Sequence, residues 1–201
     1  MSPYIRFVCT AWLFAGPALA ATYEIRPNGT GDFATIQDGV NAAVNGDVIE
    51  LTDGTFTGTG NRGVDYLGKA ITIRSASGLA SAVVLDCESG DPFGPDFWGF
   101  RFQSGEGPGS VLSELTLINC FMGVHCNGAS PRIENVTLRE GWVPALTCTG
   151  SAPVIRGCVI EANTEVNTRS SHWGTVSLRG TDATVELCTI RDNGWTGIRV
   201  R

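Results

Sequence analysis

Val111-Leu112-Ser113-Glu114-Leu115-Thr116-Leu117 is the first of four related stretches in the second half of the chain. At successive shifts of 21, 22 and 30 residues it aligns with Arg132-Ile133-Glu134-Asn135-Val136-Thr137-Leu138, Val154-Ile155-Arg156-Gly157-Cys158-Val159-Ile160 and Thr184-Val185-Glu186-Leu187-Cys188-Thr189-Ile190. Three columns of this alignment are apolar in all four stretches and are separated by polar positions, the pattern of half-buried strands. The period therefore consists of a constant coil and a loop of variable length.

A second short strand follows each of these stretches after a turn. Its four copies are residues 124–126, 146–148, 176–178 and 198–200. No helical periodicity lies between the strands, which argues against leucine-rich and ankyrin repeats. The sequence predicts an all-β fold, a right-handed parallel β-helix (solenoid) of about 21 to 22 residues per coil. Its regular coils cover residues 109–201, with less regular coils upstream.

The two ends of the predicted rod differ. Residues 35–45 have capping-box spacing at Thr35 and Asp38, apolar residues at helical spacing and an Asn-Gly stop, which predicts a short N-terminal capping helix. An open end of a parallel stack would otherwise expose strand edges. The last strand ends inside a coil, so we expect the chain to be truncated and further β-helix coils to lie beyond its C-terminus.

Composition and charge exclude several classes of protein. The 201 residues are 42% hydrophobic and 17% charged and include 26 glycines, which fits a soluble turn-rich domain and excludes disorder and a coiled coil. The net charge of -6 argues against a nucleic-acid partner. Residues 1–20 read as a signal peptide, with Arg6, an apolar run and Ala18-Leu19-Ala20. We expect a secreted or cell-surface protein whose single domain is residues 21–201 and which does not span the membrane after signal cleavage.

The N-terminal region is similar to a known family. Residues 23–37 and 46–51 resemble the first coil of right-handed β-helix proteins of the pectin lyase-like superfamily, and pectin methylesterases begin similarly. Residues 130–133 and 152–155 resemble the repeat starts of secreted bacterial members. The resemblance covers residues 22–201 and implies the β-helix fold. It implies no single activity, because this scaffold carries lyases, hydrolases, esterases and non-catalytic surface proteins.

The catalytic motifs of that superfamily are largely missing. The paired aspartates of methylesterases and the carboxylate motifs of polygalacturonases have no counterpart, and only Arg199-Val200-Arg201 faintly resembles a polygalacturonase segment. Pectate lyases hold calcium with aspartates on adjacent coils. Here Asp86, Glu88 and Asp91 lie on one turn, which favours a solvated turn over a calcium site.

Outward positions form columns down the coils, about 4.8 Å apart. One column is Glu134, Arg156, Glu186, and another is Arg139, Glu161, Arg191. Alternating signs favour exposed ion pairs, each contributing about 0.2 to 1 kcal/mol. The alternative is an arginine base of the lyase type, with calcium as cofactor, for which the candidates are Arg156, Arg191 and Arg199. Arg199 shares its column with His125, Thr147 and Ser177, and we expect His125 to be solvated.

Two pairs of cysteines fall in inward columns, Cys126 with Cys148 and Cys158 with Cys188. Adjacent coils give a suitable Cα separation for disulfides, but in-register Cβ directions do not match disulfide geometry well. The sequence leaves open whether these pairs are disulfides or apolar columns, and Cys87 and Cys120 are unassigned. His125 and His172 lie on different coils without partners at ligand spacing, so we predict no metal site and no cofactor.

Aromatic residues recur where each coil turns towards the second short strand. They are Trp98, Phe121, Trp142, Trp173 and Trp195. Rings that project from one edge of the rod suit stacking against sugars, whereas rings that fold over the loop backbone would only shield the turns. Because the catalytic motifs are missing, we predict a non-catalytic β-helix module that binds a polysaccharide or another surface component along its flank. The alternative is a polysaccharide-degrading enzyme, lyase or hydrolase, with divergent or missing catalytic coils.

Overall fold

The computed structural model describes residues 19–89, 98–142, 144–164 and 174–201. Within them the chain winds through three sheets whose strands all pair in parallel with strands of neighbouring coils. The first strand is followed by the helix, and each later coil contributes one strand to each sheet, so strands adjacent in a sheet are far apart in sequence. The fold is a right-handed parallel β-helix.

Strands are numbered along the chain. From the second strand onwards, every third strand belongs to the same sheet. Sheet 1 contains β1 (Thr22–Ile25), β2 (Val48–Leu51), β5 (Thr72–Ser75), β8 (Val111–Ser113), β11 (Arg132–Glu134), β14 (Val154–Arg156) and β17 (Thr184–Glu186). Sheet 2 contains β4 (Val64–Asp65), β7 (Trp98–Phe102), β10 (Met122–Asn127), β13 (Leu146–Thr149), β16 (Val176–Arg179) and β19 (Ile198–Val200). Sheet 3 contains β3 (Gly54–Phe56), β6 (Val83–Asp86), β9 (Thr116–Ile118), β12 (Thr137–Arg139), β15 (Val159–Glu161) and β18 (Thr189–Arg191).

The predicted columns are confirmed by the strand register. Ile133 is paired with Leu112 on one side and Ile155 on the other, and Leu138 is placed in the same way between Leu117 and Ile160. These side chains are almost completely buried. A shift of one residue in any coil would turn its apolar set outwards, so the repeat fixes the register.

Each repeated stretch forms two strands, which corrects the reading of residues 111–117 as one. The backbone bends at a single residue with positive φ: 59° at Glu114, 53° at Asn135, 63° at Gly157 and 54° at Leu187. The spacing of the buried residues explains this bend. Positions 112, 115 and 117 are separated by three and then by two residues. A straight strand buries every second residue, so a one-residue bend is needed to bring all three inwards.

The N-terminal end is covered by helix α1 (Ile36–Ala42), which is shorter than the predicted 35–45. Thr35 is the N-cap, and its hydroxyl accepts the backbone N–H of Asp38. Ala43 already has an extended backbone, and Val44, which the helical pattern placed on the buried face, is 59% exposed.

The end of α1 is held by the side chain of Lys69, the one lysine in the sequence. Its Nζ donates to the carbonyl oxygens of Val40, Asn41 and Ala43 at 2.6, 2.8 and 2.8 Å. A seven-residue helix has no internal donors for its last four carbonyls, so this ammonium group replaces the missing turn.

Candidate functional site

The outer face of sheet 2 carries a column of polar residues that continues through all six strands. We call it the polar column. It consists of Asp65, Arg101, His125, Thr147, Ser177 and Arg199. Their apolar strand neighbours point into the core, because Phe100, Phe102, Val124 and Cys126 are fully buried. Alternation along each strand therefore directs the polar column away from the core.

This column is unusually sheltered for an outward face. Thr147 is 3% exposed and Ser177 is 2% exposed. The outward arginines of the other two sheets contrast with them, since the side chains of Arg156 and Arg191 are 56% and 61% exposed. Sheet 2 therefore presents a recessed polar surface, whereas sheets 1 and 3 present solvated ion pairs.

His125 lies at the centre of the polar column and is half-buried, which corrects the expectation of a solvated ring. Its Nδ1 is 2.8 Å from the hydroxyl of Thr147, and that hydroxyl donates to the sulfur of Met122 at 3.2 Å. A threonine hydroxyl has one proton, so this arrangement assigns the proton of neutral His125 to Nδ1. Nε2 makes no hydrogen bond to any described residue.

Burial and the neighbouring Arg101 guanidinium both lower the pKa of His125 below its ordinary value. The imidazole is therefore neutral at pH 7, and its Nε2 is able to accept a hydrogen bond.

Arg101 is a half-buried cation without a carboxylate partner among the described residues. Its guanidinium carbon lies 5.7 Å from the ring centre of Trp98, and one terminal nitrogen donates to the Gly63 carbonyl at 3.1 Å. Its Nε is buried and has no hydrogen-bond partner. The adjacent Asp65 makes no ion pair with Arg101, and its carboxylate accepts from the side chain of Gln103 at 2.7 Å and from a backbone N–H.

Trp98 packs beside both His125 and Arg101. Its ring centre is 4.8 Å from that of His125 in an edge-on arrangement, and its indole N–H is buried without a partner. Glycine is required beside it: a Cβ on Gly99 would lie 2.3 Å from the carbonyl oxygen of Gly123. The close approach of these two backbones sets Trp98 beside the polar column.

Three of the other candidate aromatic residues lie within the described part of the chain, and they are half-buried instead of projecting freely from the edge. Phe121, Trp142 and Trp195 are each of intermediate exposure. The indole N–H of Trp142 donates to the carbonyl of Ser89 at 3.3 Å, whereas that of Trp195 is buried without a partner. Trp173 and His172 lie outside the described residues. The cavity beside Trp142 has a volume of about 10 Å³, enough for one water but not for a sugar ring.

The three candidate lyase arginines lie on three different sheets. Arg156 is on β14 in sheet 1, Arg191 is on β18 in sheet 3 and Arg199 is on β19 in sheet 2. Arg156 is 3.5 Å from Glu186, and Arg191 is 2.6 Å from Glu161. The ion-pair reading of the two charged columns is confirmed at these contacts. Because the sheets face different directions, the three arginines do not meet in one site.

The disulfide joins Cys87 to Cys120, the two cysteines that the sequence left unassigned, with a Cα–Cα distance of 4.8 Å. Cys126, Cys148, Cys158 and Cys188 are free thiols, so the in-register pairs are not disulfides in this structure. Register explains the difference. The N–H of Cys87 bonds to Ile118, which places Cys87 beside Asn119, so the bonded pair is offset by one residue.

Two residues of the predicted acidic turn, Asp86 and Glu88, contact neighbouring side chains. The carboxylate of Asp86 accepts from Asn119 at 3.0 Å, Glu88 pairs with Arg62 at 2.8 Å, and Asp91 lies outside the described residues. Across the described ranges, no group of three or more His, Cys, Asp or Glu side chains is arranged to hold a metal ion. The same part of the chain contains no helix with the length and apolar character needed to cross a bilayer.

The signal peptide, residues 1–20, lies almost entirely outside the described residues and stays a prediction.

Comparison with known proteins adds one structural similarity. No protein-family model matches the chain, and no curated protein matches it. A solved structure of a pectin methylesterase from carrot is similar, with 16% sequence identity and a TM-score of 0.37. The match covers 85% of this chain and 64% of the carrot chain, so this chain spans less than two thirds of that protein. A similarity of this size assigns no activity.

The sequence alignment identified four of the six members of the polar column, but it did not predict that this column is sheltered from solvent. The alignment placed His125, Thr147, Ser177 and Arg199 together, but it treated them as ordinary surface positions. One signal was available in the sequence: Gly99 and Gly123 stand at the same point of two successive coils. Glycines repeated at one position indicate close backbone approach, and the arginine and histidine that follow lie next to each other in register.

Proposed function

We propose that this protein is an exported, non-catalytic β-helix module that binds an acidic polysaccharide along the polar column. The observation that carries this proposal is the unpaired Arg101. A partly buried guanidinium without a carboxylate is costly, and an anionic ligand would supply the missing acceptor. A further unpartnered group, Nε2 of His125, offers an acceptor to a sugar hydroxyl.

Charge favours this face over the other two. The strands of sheet 2 carry three arginines and one aspartate, whereas those of sheet 1 carry three arginines and four glutamates and those of sheet 3 carry two charges of each sign. Although the whole chain has a net charge of -6, its recessed face is positive. Local potential, rather than net charge, determines which ligand a surface attracts.

The geometry also suits an extended ligand. Arg101 and His125, two half-buried members of the polar column, lie on adjacent coils about 4.8 Å apart along the rod, so one chain of sugars in extended form could contact both. Side chains that lie in a recess hold a ligand with less loss of conformational freedom than free surface side chains.

The test is calorimetric titration of the chain with polygalacturonate oligomers and with neutral gluco-oligomers. We expect binding of the acidic oligomers only. Arg101→Gln removes a charge-assisted contact worth about 1.5 to 3 kcal/mol, so affinity falls about 10- to 150-fold. Arg156→Gln is the matched control, because it removes an exposed arginine from another sheet, and it should leave affinity within about twofold.

Three results would overturn the proposal. Equal affinity for neutral oligomers would remove the role of charge, and unchanged affinity in Arg101→Gln would place the site elsewhere. Growth of absorbance near 235 nm during the titration would reveal unsaturated products and hence a lyase.

A further inference from the structure

A buried carboxylate lies beside the start of the first strand. The backbone N–H of Ala21 donates to Oδ1 of Asp47 at 2.8 Å, and that of Val44 donates to Oδ2 at 2.8 Å. Asp47 is 2% exposed, and no arginine or lysine forms an ion pair with it among the described residues. A buried carboxylate that is contacted only by neutral N–H groups carries a desolvation cost that a cation would offset.

Sheet 1 fixes the position of Ala21. Its carbonyl oxygen accepts the N–H of Val48 at 2.8 Å, and the next residue, Thr22, is paired with Val48 in register. The two residues before it are exposed, and Leu19 is 96% exposed. Contacts made by residue 21 and those after it therefore hold the nitrogen of Ala21 at Asp47.

This nitrogen is also the one that removal of the predicted signal peptide would set free. We propose that Asp47 is the binding site for the α-ammonium group of Ala21, and that cleavage after Ala20 completes the N-terminal cap of the β-helix. In the cleavage, a signal peptidase uses one water to break the C–N bond between the two alanines. Ala20 keeps the new carboxylate, and the freed amine of Ala21 takes up a proton. The proposal rests on export, which the proposed function also assumes, and not on polysaccharide binding.

An ammonium group is a stronger partner for this carboxylate than an amide N–H. Hydrogen bonds between a charged nitrogen donor and a carboxylate are roughly twice as strong as neutral ones and are about 2.7 to 2.9 Å long. The 2.8 Å between the nitrogen of Ala21 and Oδ1 of Asp47 already lies in that range. Because Asp47 is almost fully buried, water and salt screen this attraction less than they screen a surface pair.

Asp47 connects the new chain end to the capping helix. Its Oδ2 holds the N–H of Val44, two residues after the end of α1. These backbone contacts from Val44 and Ala21 lower the pKa of Asp47, and the charge of Lys69, which holds the last carbonyls of α1, lowers it further. Cleavage therefore adds a second cation to a cap that already contains Lys69, and the processed chain gains a contact that the unprocessed chain lacks.

The ion pair predicts a specific loss of stability at alkaline pH. The carboxylate of Asp47 favours the charged form of the α-amino group, so the pKa of that group in the folded chain lies above its ordinary value of about 7.7 to 8.0. Such a group contributes stability that is fully present below its unfolded-state pKa and is lost as pH rises through its folded-state pKa. The processed chain should therefore lose this contribution as pH rises above about 8.

The experiment expresses the full chain with its signal peptide in an exporting host and determines the first residue of the exported protein by Edman degradation and intact mass. We expect Ala21. A second chain carries one serine inserted between Ala20 and Ala21, which moves the ammonium group by about 3.3 Å. Its melting temperature at pH 7 should be lower by at least about 3 °C, and this difference should narrow from pH 8 to 10. All other titrating groups are common to both chains, so the difference isolates the α-amino group.

Two substitutions locate the partner of the α-amino group. Asp47→Asn should remove the difference between the parent and the inserted chain. Asp32→Asn is the matched control, because Oδ2 of Asp32 also accepts a backbone N–H of β1, that of Glu24 at 2.7 Å. It should leave the difference unchanged.

A measurement on the exported parent chain does not depend on variants that fold. The processed chain has two amines, the α-amino group of Ala21 and the side chain of Lys69. Acetic anhydride at pH 7 should acetylate the α-amino group at least about tenfold more slowly in the folded chain than in guanidinium chloride, because only the neutral amine reacts.

Three results would overturn the proposal. They are a signal peptide that is retained or cut at another bond, equal acetylation of the α-amino group in both states, and a melting-temperature difference that depends on neither pH nor Asp47. The first would also remove export from the proposed function. The other two would leave binding of acidic oligomers untouched, so the failures of the two proposals are distinguishable.

Discussion

Removing the hydroxyl of Thr147 tests the hydrogen-bonded centre of the polar column. Thr147→Val keeps the shape of the side chain but deletes the group that lies 2.8 Å from Nδ1 of His125 and 3.2 Å from the sulfur of Met122. Thr147 is 3% exposed, so water cannot easily replace the lost oxygen. The imidazole N–H would lose its acceptor.

The expected cost follows from these contacts. A net hydrogen bond contributes about 0.5 to 1.5 kcal/mol, and an unsatisfied buried donor costs about 1 to 3 kcal/mol. Because His125 is only half-buried, part of the second cost is avoided. We expect the free energy of unfolding to fall by about 2 kcal/mol, which corresponds to a melting temperature lower by about 4 to 8 °C for a domain of this size.

The assay is urea denaturation followed by tryptophan fluorescence at pH 7, with the slope of the transition checked for constancy. Ser177→Ala is the matched control, because Ser177 occupies the next position of the same column, is 2% exposed and makes no hydrogen bond to another described residue. It should change stability by less than about 0.5 kcal/mol. If Thr147→Val were as stable as Ser177→Ala, the assigned hydrogen bond and tautomer would be refuted.

Further predictions concern the cap, acid stability and the surface ion pairs. Lys69→Met should lower the free energy of unfolding by about 2 to 4 kcal/mol, because three helix carbonyls lose a charged donor. Lys69→Arg should retain part of this stabilisation in the same urea assay. Backbone hydrogen bonds lower the pKa of Asp47, so its stabilisation is lost as pH falls through the folded-state value; Asp47→Asn should flatten thermal stability measured from pH 6 to 3. Burial lowers the pKa of His125, so the unfolded chain takes up its proton first and stability falls as pH drops below about 6.5; melting curves of His125→Gln should show a smaller loss between pH 7 and 5. Arg191→Gln breaks an exposed ion pair with Glu161 and should lower the free energy of unfolding by less than about 1 kcal/mol in the same urea assay. A larger loss would contradict the interpretation of this contact as a solvated surface ion pair.

The fold could be predicted because one period encodes it several times. The spacing of Leu112, Leu115 and Leu117 recurs in each coil, and burial of that set leaves one register for the strands. The bend at Glu114 was not predicted. Its positive φ is imposed by the burial of the neighbouring residues, and four different residue types occupy this position in the four coils. The end of α1 was missed as well, because it depends on Lys69, which lies 26 or more residues away in sequence.

The candidate site was less predictable because it depends on how far each side chain is covered. The alignment places Thr147 and Ser177 on the outer face, but an aligned column does not show how far neighbouring side chains cover each of them, and both are almost fully buried. The disulfide was missed for a related reason. Cys87 and Cys120 lie just beyond the aligned strands and are offset by one residue, so no column of the repeat contains both.

The Cys87–Cys120 disulfide has a consequence under mechanical load. A force applied to the two ends of the rod would peel it coil by coil, and each coil of about 22 residues would release about 75 Å of chain in place of a rise of about 4.8 Å. The disulfide closes a loop with a sequence separation of 33 residues, which withholds about 110 Å of extension until the bond is reduced. Pulling under oxidising and reducing conditions would therefore give contour lengths that differ by this one step, located in the N-terminal half of the rod.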